Sequence, residues 1–306
     1  MYRILFLLSL LALSCTPKRQ LATVNDTPTT ISLPDFDWQG HRGARGLLPE
    51  NTVPAFLRAL DFPKVTTLEL DLAVSKDQEL IVSHEPWMSA LICSHPDGSA
   101  VTEEEEKGLR IFEMTTAQVQ AFDCGQRGNV NFPDQAVQAI YKPTLTEVVE
   151  AAEEKAKALD RPLPFYNIEI KSLPEYDGVL TPEPSAFAAL VVRELRRLGI
   201  AERSTVQSFD VRSLQAMKEQ SPKQRLVYLI ANRNSLDQNM ELLGFTPDVY
   251  SPYFELCTPG LADSLHEQNI QLIPWTVNEA EQMNALIEIG VDGIITDYPD
   301  RIPEGN

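Results

Sequence analysis

The chain has 306 residues, of which 26 are basic and 44 acidic, and its formal net charge at pH 7 is −18. With 43% hydrophobic and 23% charged residues it can build a substantial core, which excludes wholesale disorder. The acidic balance excludes a broad nucleic-acid-binding surface, because affinity for nucleic acids comes largely from Lys and Arg neutralising phosphates.

The first residues have the pattern of an export signal. Arg3 precedes an apolar run from Ile4 to Leu13, which is shorter than the roughly 20 residues needed to cross a bilayer. The run ends in Ala-Leu-Ser-Cys15, which resembles a bacterial lipoprotein signal. We therefore expect a signal peptide over residues 1–14 and lipidation of Cys15. The alternative is an ordinary cleaved signal peptide in which Cys15 has no role.

Residues 15–35 are rich in Thr, Pro and polar side chains and have no helical or strand period. This composition is typical of a flexible tether. Together with the signal it predicts an exported lipoprotein, anchored to a membrane and facing the periplasm or the cell exterior.

An exported chain can form disulfides. If Cys15 is acylated, three thiols remain, at Cys93, Cys124 and Cys257. Cys93 and Cys124 bracket one loop-rich segment, so we predict that these two pair. Cys257 lies in a separate region and is expected to be buried as a free thiol.

Short β-branched or aromatic runs alternate with amphipathic helical stretches through residues 36–306. The predicted strands are Asp37–His41, Thr67–Ala73, Tyr166–Lys171, Thr205–Phe209, Arg225–Ile230, Asp248–Ser251, Gln271–Val277 and Asp292–Thr296. The predicted helices are Val53–Leu60, Leu145–Leu159, Pro184–Leu198, Val211–Gln220, Leu236–Leu243, Pro259–Gln268 and Glu279–Ile289. Such alternation indicates parallel β-α units. Eight strands in this length favour the α/β class and a single (β/α)₈ (TIM) barrel over an open doubly wound sheet.

One stretch interrupts the alternation after the second strand region, at about residues 85–143. A connection of this length within a compact domain is usually functional or a small subdomain. It contains four consecutive acids, Glu103–Glu106, which we interpret as a solvated surface without a catalytic role.

Acidic side chains occupy one face of two predicted strands. Glu69 and Asp71 stand two residues apart, and Glu169 lies in the next parallel strand beside Lys171. Side chains two residues apart on a strand share a face, so both pairs point to one side. An exposed sheet face is the alternative reading. In a central parallel strand, buried acids must be paired or must bind a cation.

The ligand types in this cluster indicate the kind of ion. Three carboxylates suit a hard divalent cation, Mg²⁺ or Ca²⁺, and the sequence offers no pattern typical of a zinc site. His41 ends the first predicted strand and His84 follows the apolar run Leu80–Val82, both beside these acids, so they are candidates for proton transfer. His95 and His266 fall in the insertion and in a helix, where we expect no catalytic role.

The segment that begins His41-Arg-Gly and ends Pro-Glu-Asn-Thr52 resembles the signature of the glycerophosphodiester phosphodiesterase family. Further similarities follow in the same order along the chain: Glu69-x-Asp71, Val82-Ser-His84, Glu169-Ile-Lys171, Gln207-Ser-Phe209, Trp275-Thr-Val-Asn278 and Gly290-Val-Asp-Gly-Ile-Ile-Thr-Asp297. They extend from about residue 40 to residue 299, which is nearly all of the expected mature chain.

The resemblance implies a TIM barrel that hydrolyses glycerophosphodiesters to sn-glycerol 3-phosphate and an alcohol with a divalent cation. By position, it implies that the metal ligands are Glu69, Asp71 and Glu169, that the general acid and base are His41 and His84, and that the phosphate contacts are Arg42 and Lys171. Glu50 would support the site, and Trp275 would form an apolar wall of the pocket.

Two alternatives remain open at this point. One is a phospholipase C- or D-like phosphodiesterase that acts on intact lipids, and the other is a surface lipoprotein that only binds its ligand. The chain also departs from compact family members after His84, where Glu85-Pro86-Trp87 leads into the insertion. The resemblance therefore leaves the leaving-group specificity undetermined.

Overall fold

A computed structural model describes residues 32–304. The predicted signal peptide, Cys15 and residues 16–31 of the predicted tether lie outside the described residues. No helix within residues 32–304 is both long enough and apolar enough to cross a membrane.

The strands form one sheet that curves into a barrel. They are β1 (Asp37–Gly40), β2 (Val65–Val74), β3 (Leu80–Val82), β4 (Phe165–Ile170), β5 (Ser204–Ser208), β6 (Arg225–Ile230), β7 (Val249–Pro252), β8 (Gln271–Leu272) and β9 (Gly293–Thr296). Eight are parallel, in the order β8-β7-β6-β5-β4-β2-β1-β9, and β3 pairs antiparallel with β2. Single hydrogen bonds close the remaining gap, since the amide of Asp292 donates to Leu272 and that of Ile295 to Pro274. The predicted barrel is therefore confirmed, and it is nearly closed.

Helices alternate with these strands. They are α1 (Val53–Ala59), α2 (Thr116–Val119), α3 (Leu145–Ala158), α4 (Pro184–Leu198), α5 (Val211–Gln220), α6 (Leu236–Leu243), α7 (Pro259–His266) and α8 (Ala280–Ile289). Local chemistry sets several starts: Thr144 and Glu147 form a capping box at α3, and Pro184 occupies the first turn of α4. The seven predicted helices are all present, and their ends agree within two residues.

The structure differs from the predicted strands in two places. The predicted strand Gln271–Val277 is reduced to the two residues of β8, because residues 273–277 bond singly to both neighbouring strands without a continuous ladder. β3 was not predicted as a strand, because three apolar residues are too short to show a period.

The two faces of β2 explain how the barrel places its polar residues. Leu68, Leu70 and Leu72 are fully buried in the main apolar core, which includes residues of the surrounding helices. Glu69 and Asp71 alternate with them and are also buried. The two-residue period of a strand therefore separates an apolar outer face from a polar inner one.

The insertion has a core of its own. Apolar side chains including Met88, Ile111 and Val119 form a second buried cluster. Cys93 and Cys124 form a disulfide within it, as predicted, and Cys257 is a buried free thiol elsewhere. The guanidinium of Arg127 donates to the backbone carbonyls of Ala90, Cys93 and Val101. The insertion is therefore a folded substructure that contains α2 and two short 3₁₀ helices.

Candidate active site

The predicted site residues converge at the carboxyl ends of the parallel strands. There a cavity of about 160 Å³ is lined by His41, Arg42, Arg45, Glu69, His84, Glu169, Lys171, Gln207, Phe209, Leu229, Trp275, Thr276 and Ile295. Parallel strands bring their carboxyl ends to one edge, which is where TIM barrels place their chemistry.

The three carboxylates form one buried cluster. Asp71 of β2 is in direct register with Glu169 of β4, and one oxygen from each of Glu69, Asp71 and Glu169 lies within 4.8 Å of the others. It is the one such group among residues 32–304. The Oδ1 of Asp71 is buried and has no hydrogen-bond partner. An all-oxygen cluster with an unpartnered acceptor fits a hard divalent cation.

Burial and mutual repulsion perturb the acidity of this cluster. Burial, and then the charge of Asp71, hold the pKa of Glu69 well above its ordinary value. Burial also raises the pKa of Glu169 to about 7, although Lys171 opposes the shift. Burial would raise the pKa of Asp71 as well, but Arg42, His84 and Lys171 outweigh it and hold that pKa well below the ordinary range. Without a cation, the cluster therefore retains protons that it would release on binding one.

Two basic side chains lie against the carboxylates. The Nε of Arg42 is 3.2 Å from Asp71 Oδ2, and the backbone amide of Arg42 donates to Glu69 Oε2 at 2.9 Å. The Nζ of Lys171 is 3.1 Å from Glu169 Oε1. Both cations line the cavity, so both are placed to contact an anion beside the cluster.

Each of the two histidines is held by a carboxylate at its Nδ1 atom. His41 Nδ1 lies 2.6 Å from Asp297 Oδ1, and His84 Nδ1 lies 2.7 Å from Glu85 Oε1. Because a carboxylate only accepts, these contacts assign the proton to Nδ1 in both rings. The Nε2 atoms are then free to accept: that of His41 is 3.9 Å from Glu69 Oε2, and that of His84 is 2.9 Å from Lys171 Nζ.

The charge states follow from burial. Burial lowers the pKa of His41, and the opposing effect of Asp297 does not restore it, so His41 is neutral at pH 7. Burial alone would raise the pKa of Asp297 and of Glu85. The adjacent histidine together with nearby cations, Arg45 for Asp297 and Lys142 and Arg42 for Glu85, outweighs burial and brings the pKa of both to about 2. Both carboxylates are therefore ionised in the physiological range.

Further polar residues hold the basic and acidic side chains of the site in place. Glu50 accepts from Arg42 at 2.7 Å and from Arg45 at 2.8 Å. Asn51 donates to Asp71 at 2.8 Å, and Gln207 of β5 donates to Glu69 at 2.7 Å. Glu50 thus lies behind the cluster, where it can orient Arg42 without joining the three carboxylates.

Apolar rings form one wall of the cavity. Trp275 donates from its indole Nε1 to the carbonyl of Ser251 at 2.9 Å, which fixes the ring. Phe209 packs edge-on against it, with the ring centres 5.3 Å apart. Trp275 therefore lies where the sequence predicts an apolar wall.

The insertion supports the loop that carries the site. The side-chain amide of Gln135 donates to the carbonyls of Arg45 and Leu48 at 2.7 and 2.9 Å. Arg45 also stacks over Phe132 at 4.6 Å, and Asn129 reaches Glu50 at 3.4 Å. Of the four acids predicted to form a solvated surface, Glu103, Glu104 and Glu105 are exposed, whereas Glu106 is half-buried and accepts from the backbone amide of Ala90 at 2.9 Å.

Sequence reasoning assigned no role to Asp297, Glu85 or Gln207. Gln207 begins one matched motif and Asp297 ends another, and both lie at the carboxyl ends of strands. That position could have identified them as site residues. Glu85 directly follows His84, yet adjacency in sequence does not determine whether two side chains meet. His95 and His266 each pair with an acid outside the site, at Glu105 and Asp292.

Comparisons with known proteins agree with this geometry. The sequence model of the glycerophosphoryl diester phosphodiesterase family matches residues 41–301. A glycerophosphodiester phosphodiesterase of Caldanaerobacter subterraneus subsp. tengcongensis is 28% identical over 263 residues, covering 86% of this chain and 94% of the relative. A Bacillus subtilis enzyme of the same name is 27% identical, with 85% and 83% covered.

Solved structures have the same fold. A Silicibacter pomeroyi protein provisionally named a glycerophosphoryl diester phosphodiesterase is 31% identical, with a TM-score of 0.75 over 88% of this chain and 92% of that one. An Oleispira antarctica phosphodiesterase, solved with its product sn-glycerol-3-phosphate, has a TM-score of 0.67 at 18% identity and covers 87% of this chain and 94% of its own. At that identity the second likeness concerns the fold alone.

Proposed function

The chain belongs to the glycerophosphoryl diester phosphodiesterase family, and we propose that it hydrolyses glycerophosphodiesters to sn-glycerol 3-phosphate and an alcohol with the help of a divalent cation. One observation carries the proposal: two members of the buried three-carboxylate cluster, Glu69 and Glu169, line one cavity together with two carboxylate-held histidines and with cations that include Arg42 and Lys171. This set supplies both charge neutralisation and proton transfer, which cleavage of an anionic phosphodiester requires.

Glu69, Asp71 and Glu169 would hold the cation, either Mg²⁺ or Ca²⁺. When bound, it would supply Lewis-acid stabilisation of negative charge on the phosphate oxygens. Arg42 and Lys171 would orient the phosphate and offset the charge that develops as the P–O bond breaks.

The two histidines would move protons at opposite ends of the reaction. His41 is neutral and has a free Nε2, so it would take the proton of the attacking hydroxyl, from water or from the substrate's glycerol. His84 would deliver a proton from Nε2 to the departing alkoxide, after that nitrogen takes up a proton in place of its contact with Lys171, and Glu85 would stabilise the ring that is then charged. Proton transfers of this kind contribute about 10²–10⁴-fold each. Trp275 would face the apolar surface of the substrate.

The test is an assay with purified protein and glycerophosphocholine or glycerophosphoethanolamine, in which sn-glycerol 3-phosphate is quantified. We expect activity that EDTA abolishes and that Mg²⁺ or Ca²⁺ restores. Turnover that is untouched by chelation would contradict the cation's role. Ligand binding without product formation would contradict the enzymatic proposal itself.

We further propose that the protein is exported and anchored through a lipid on Cys15. The Cys93–Cys124 disulfide supports an oxidising compartment. Mass spectrometry of the N-terminal peptide tests the anchor: a diacylglyceryl mass on Cys15 is expected, and an unmodified Cys15 would refute the proposal.

A further inference from the structure

A second cavity of about 300 Å³ opens beside the cluster on the side of His84. His84, Glu169, Lys171 and Phe209 line both this cavity and the central one. We call the second cavity the side pocket. A diester whose phosphate lies at the carboxylate cluster can therefore extend one of its two ester groups past His84 into the side pocket. This volume is at the lower end for small-molecule sites and is ample for a small alcohol.

The lining of the side pocket is mainly aromatic and apolar. Trp87 and Tyr176 meet edge to face with ring centres 6.2 Å apart, and Phe209 and Leu173 are each 37% exposed. The uncharged side-chain hydrogen-bonding groups of the lining are the hydroxyls of Ser172 and Tyr176 and the indole N–H of Trp87. The Ser172 hydroxyl is already engaged with Asp210 and Ser213, and the Trp87 Nε1 is buried without a hydrogen-bond partner. A polyol leaving group such as glycerol would therefore regain only part of the hydrogen bonds to water that it loses here.

Besides Glu169 of the carboxylate cluster, one further acidic group is placed at the pocket. The carboxylate of Glu85 lines it, and its side chain is 26% exposed. Lys171 lies at the inner end of the pocket, where the phosphate would sit. Three further cations lie nearby but are not among the lining residues: Lys107, whose Nζ is 5.6 Å from the Trp87 ring centre, and Lys142 and Arg42, which act electrostatically on Glu85. The pocket thus combines aromatic rings with a carboxylate at its wall.

Aromatic rings with a nearby carboxylate are suited to a quaternary ammonium group, which needs no hydrogen-bond partner. A primary ammonium carries three donors and a tightly held hydration shell. Glu85 already accepts from His84, and the rings of Trp87 and Tyr176 supply apolar surface for methyl groups.

From this juxtaposition we propose that the side pocket is the leaving-alcohol subsite and that it selects choline-type alcohols, which carry a quaternary ammonium, over ethanolamine and glycerol. The selectivity rests on the proposed diesterase function, whereas the binding of a quaternary ammonium by the pocket does not. Trp87 and Tyr176 would be its specificity-determining residues. Both lie in segments for which the family resemblance assigned no role.

The kinetic test compares kcat/KM of the full chain, with Mg²⁺ or Ca²⁺, on glycerophosphocholine, glycerophosphoethanolamine and glycerophosphoglycerol. We expect roughly tenfold preference for the choline diester over the other two. Trp87→Leu and Tyr176→Leu should reduce that preference severalfold, whereas Tyr176→Phe should retain it. Tyr141→Leu is the matched control, because Tyr141 is a partly exposed tyrosine that bonds to Glu147 and does not line the pocket.

A binding test separates this inference from the proposed function. Isothermal titration with tetramethylammonium should detect binding that Tyr176→Leu weakens and Tyr141→Leu leaves unchanged. If no diester is cleaved but this binding is found, the proposed function fails and the pocket's ligand class stands. Equal kcat/KM values for the three diesters would overturn the inference while leaving the diesterase function intact. Absence of tetramethylammonium binding would overturn it as well. So would a preference for a diester with an uncharged propyl leaving group over glycerophosphocholine.

Discussion

The Nζ atom of Lys171 lies 2.9 Å from the Nε2 atom of His84. Lys171 also contacts Glu169 at 3.1 Å, so one ammonium group connects the carboxylate cluster to a histidine. An ammonium only donates, so this contact and the Glu85 contact specify the same His84 tautomer. The carboxylate cluster and His84 are therefore electrostatically connected through Lys171, the residue proposed to contact the phosphate.

Removing the Lys171 charge is expected to reduce turnover with little effect on folding. Lys171→Met should lower kcat about 10²-fold, because charge that develops on the phosphate loses one fixed partner. Steady-state kinetics and the Tm measure the two effects. Lys155→Met is the control, since Lys155 pairs with Asp61 on the barrel's outside. A kcat within twofold of the wild-type value would contradict this role for Lys171.

Asp297→Asn tests the orientation of His41. An amide can donate to Nδ1 and favour the wrong tautomer, so we expect kcat to fall by about 10²–10⁴-fold. The matched control is Asp292→Asn, because Asp292 pairs with His266 at 2.9 Å outside the site. Unchanged activity in Asp297→Asn, with the Asp292 variant equally active, would refute a positioning role for Asp297.

Metal binding should depend on pH in a defined direction. The pKa of Glu169 is raised to about 7, so the metal-free fold holds a proton there below that pH, whereas an unfolded chain would hold it only below about 4.5. The metal-free protein therefore loses stability as pH rises from about 4.5 through 7, and protons compete with the cation in the same range. The rise in Tm on adding Mg²⁺ or Ca²⁺ should be larger at pH 8 than at pH 5.5.

Thermal unfolding with and without the cation, across pH, measures this effect. Glu169→Gln removes one titrating ligand, so both the cation-induced Tm rise and its pH dependence should shrink in that variant, while Glu69, whose pKa is also raised, retains the remainder. A wild-type Tm rise that is the same at pH 5.5 and pH 8 would contradict the prediction.

Gln135 in the insertion is expected to act on the site through the loop between β1 and α1, which carries His41, Arg42 and Arg45. Gln135→Ala removes the bonds to the carbonyls of Arg45 and Leu48, so Arg45 and its partner Glu50 lose support. We expect kcat to fall roughly tenfold, since small misplacements of positioned groups reduce rates strongly. Gln215→Ala is the matched control, because Gln215 also donates to two backbone carbonyls, those of Leu242 and Leu243. Equal kcat values for the two variants would contradict a role for Gln135 in positioning the site.

The sequence by itself determined the barrel and indicated the residues that meet at the candidate site. Strand and helix periods are local, so the alternation predicted eight strands, and the spacing of Glu69 and Asp71 placed both on one face. Helix starts were also readable, because capping groups such as Thr144 act on residues three positions away.

Only the tertiary structure decided which partners orient those residues. Asp297 reaches His41 across 256 positions of sequence, and Gln207 reaches Glu69 across 138. Distant segments are likewise joined where the insertion packs on the loop between β1 and α1, and where the ring of Trp87 packs against that of Tyr176. Local periodicity determines which face a side chain occupies. Its partner across the barrel depends on closure of the sheet and on packing, which no local pattern encodes.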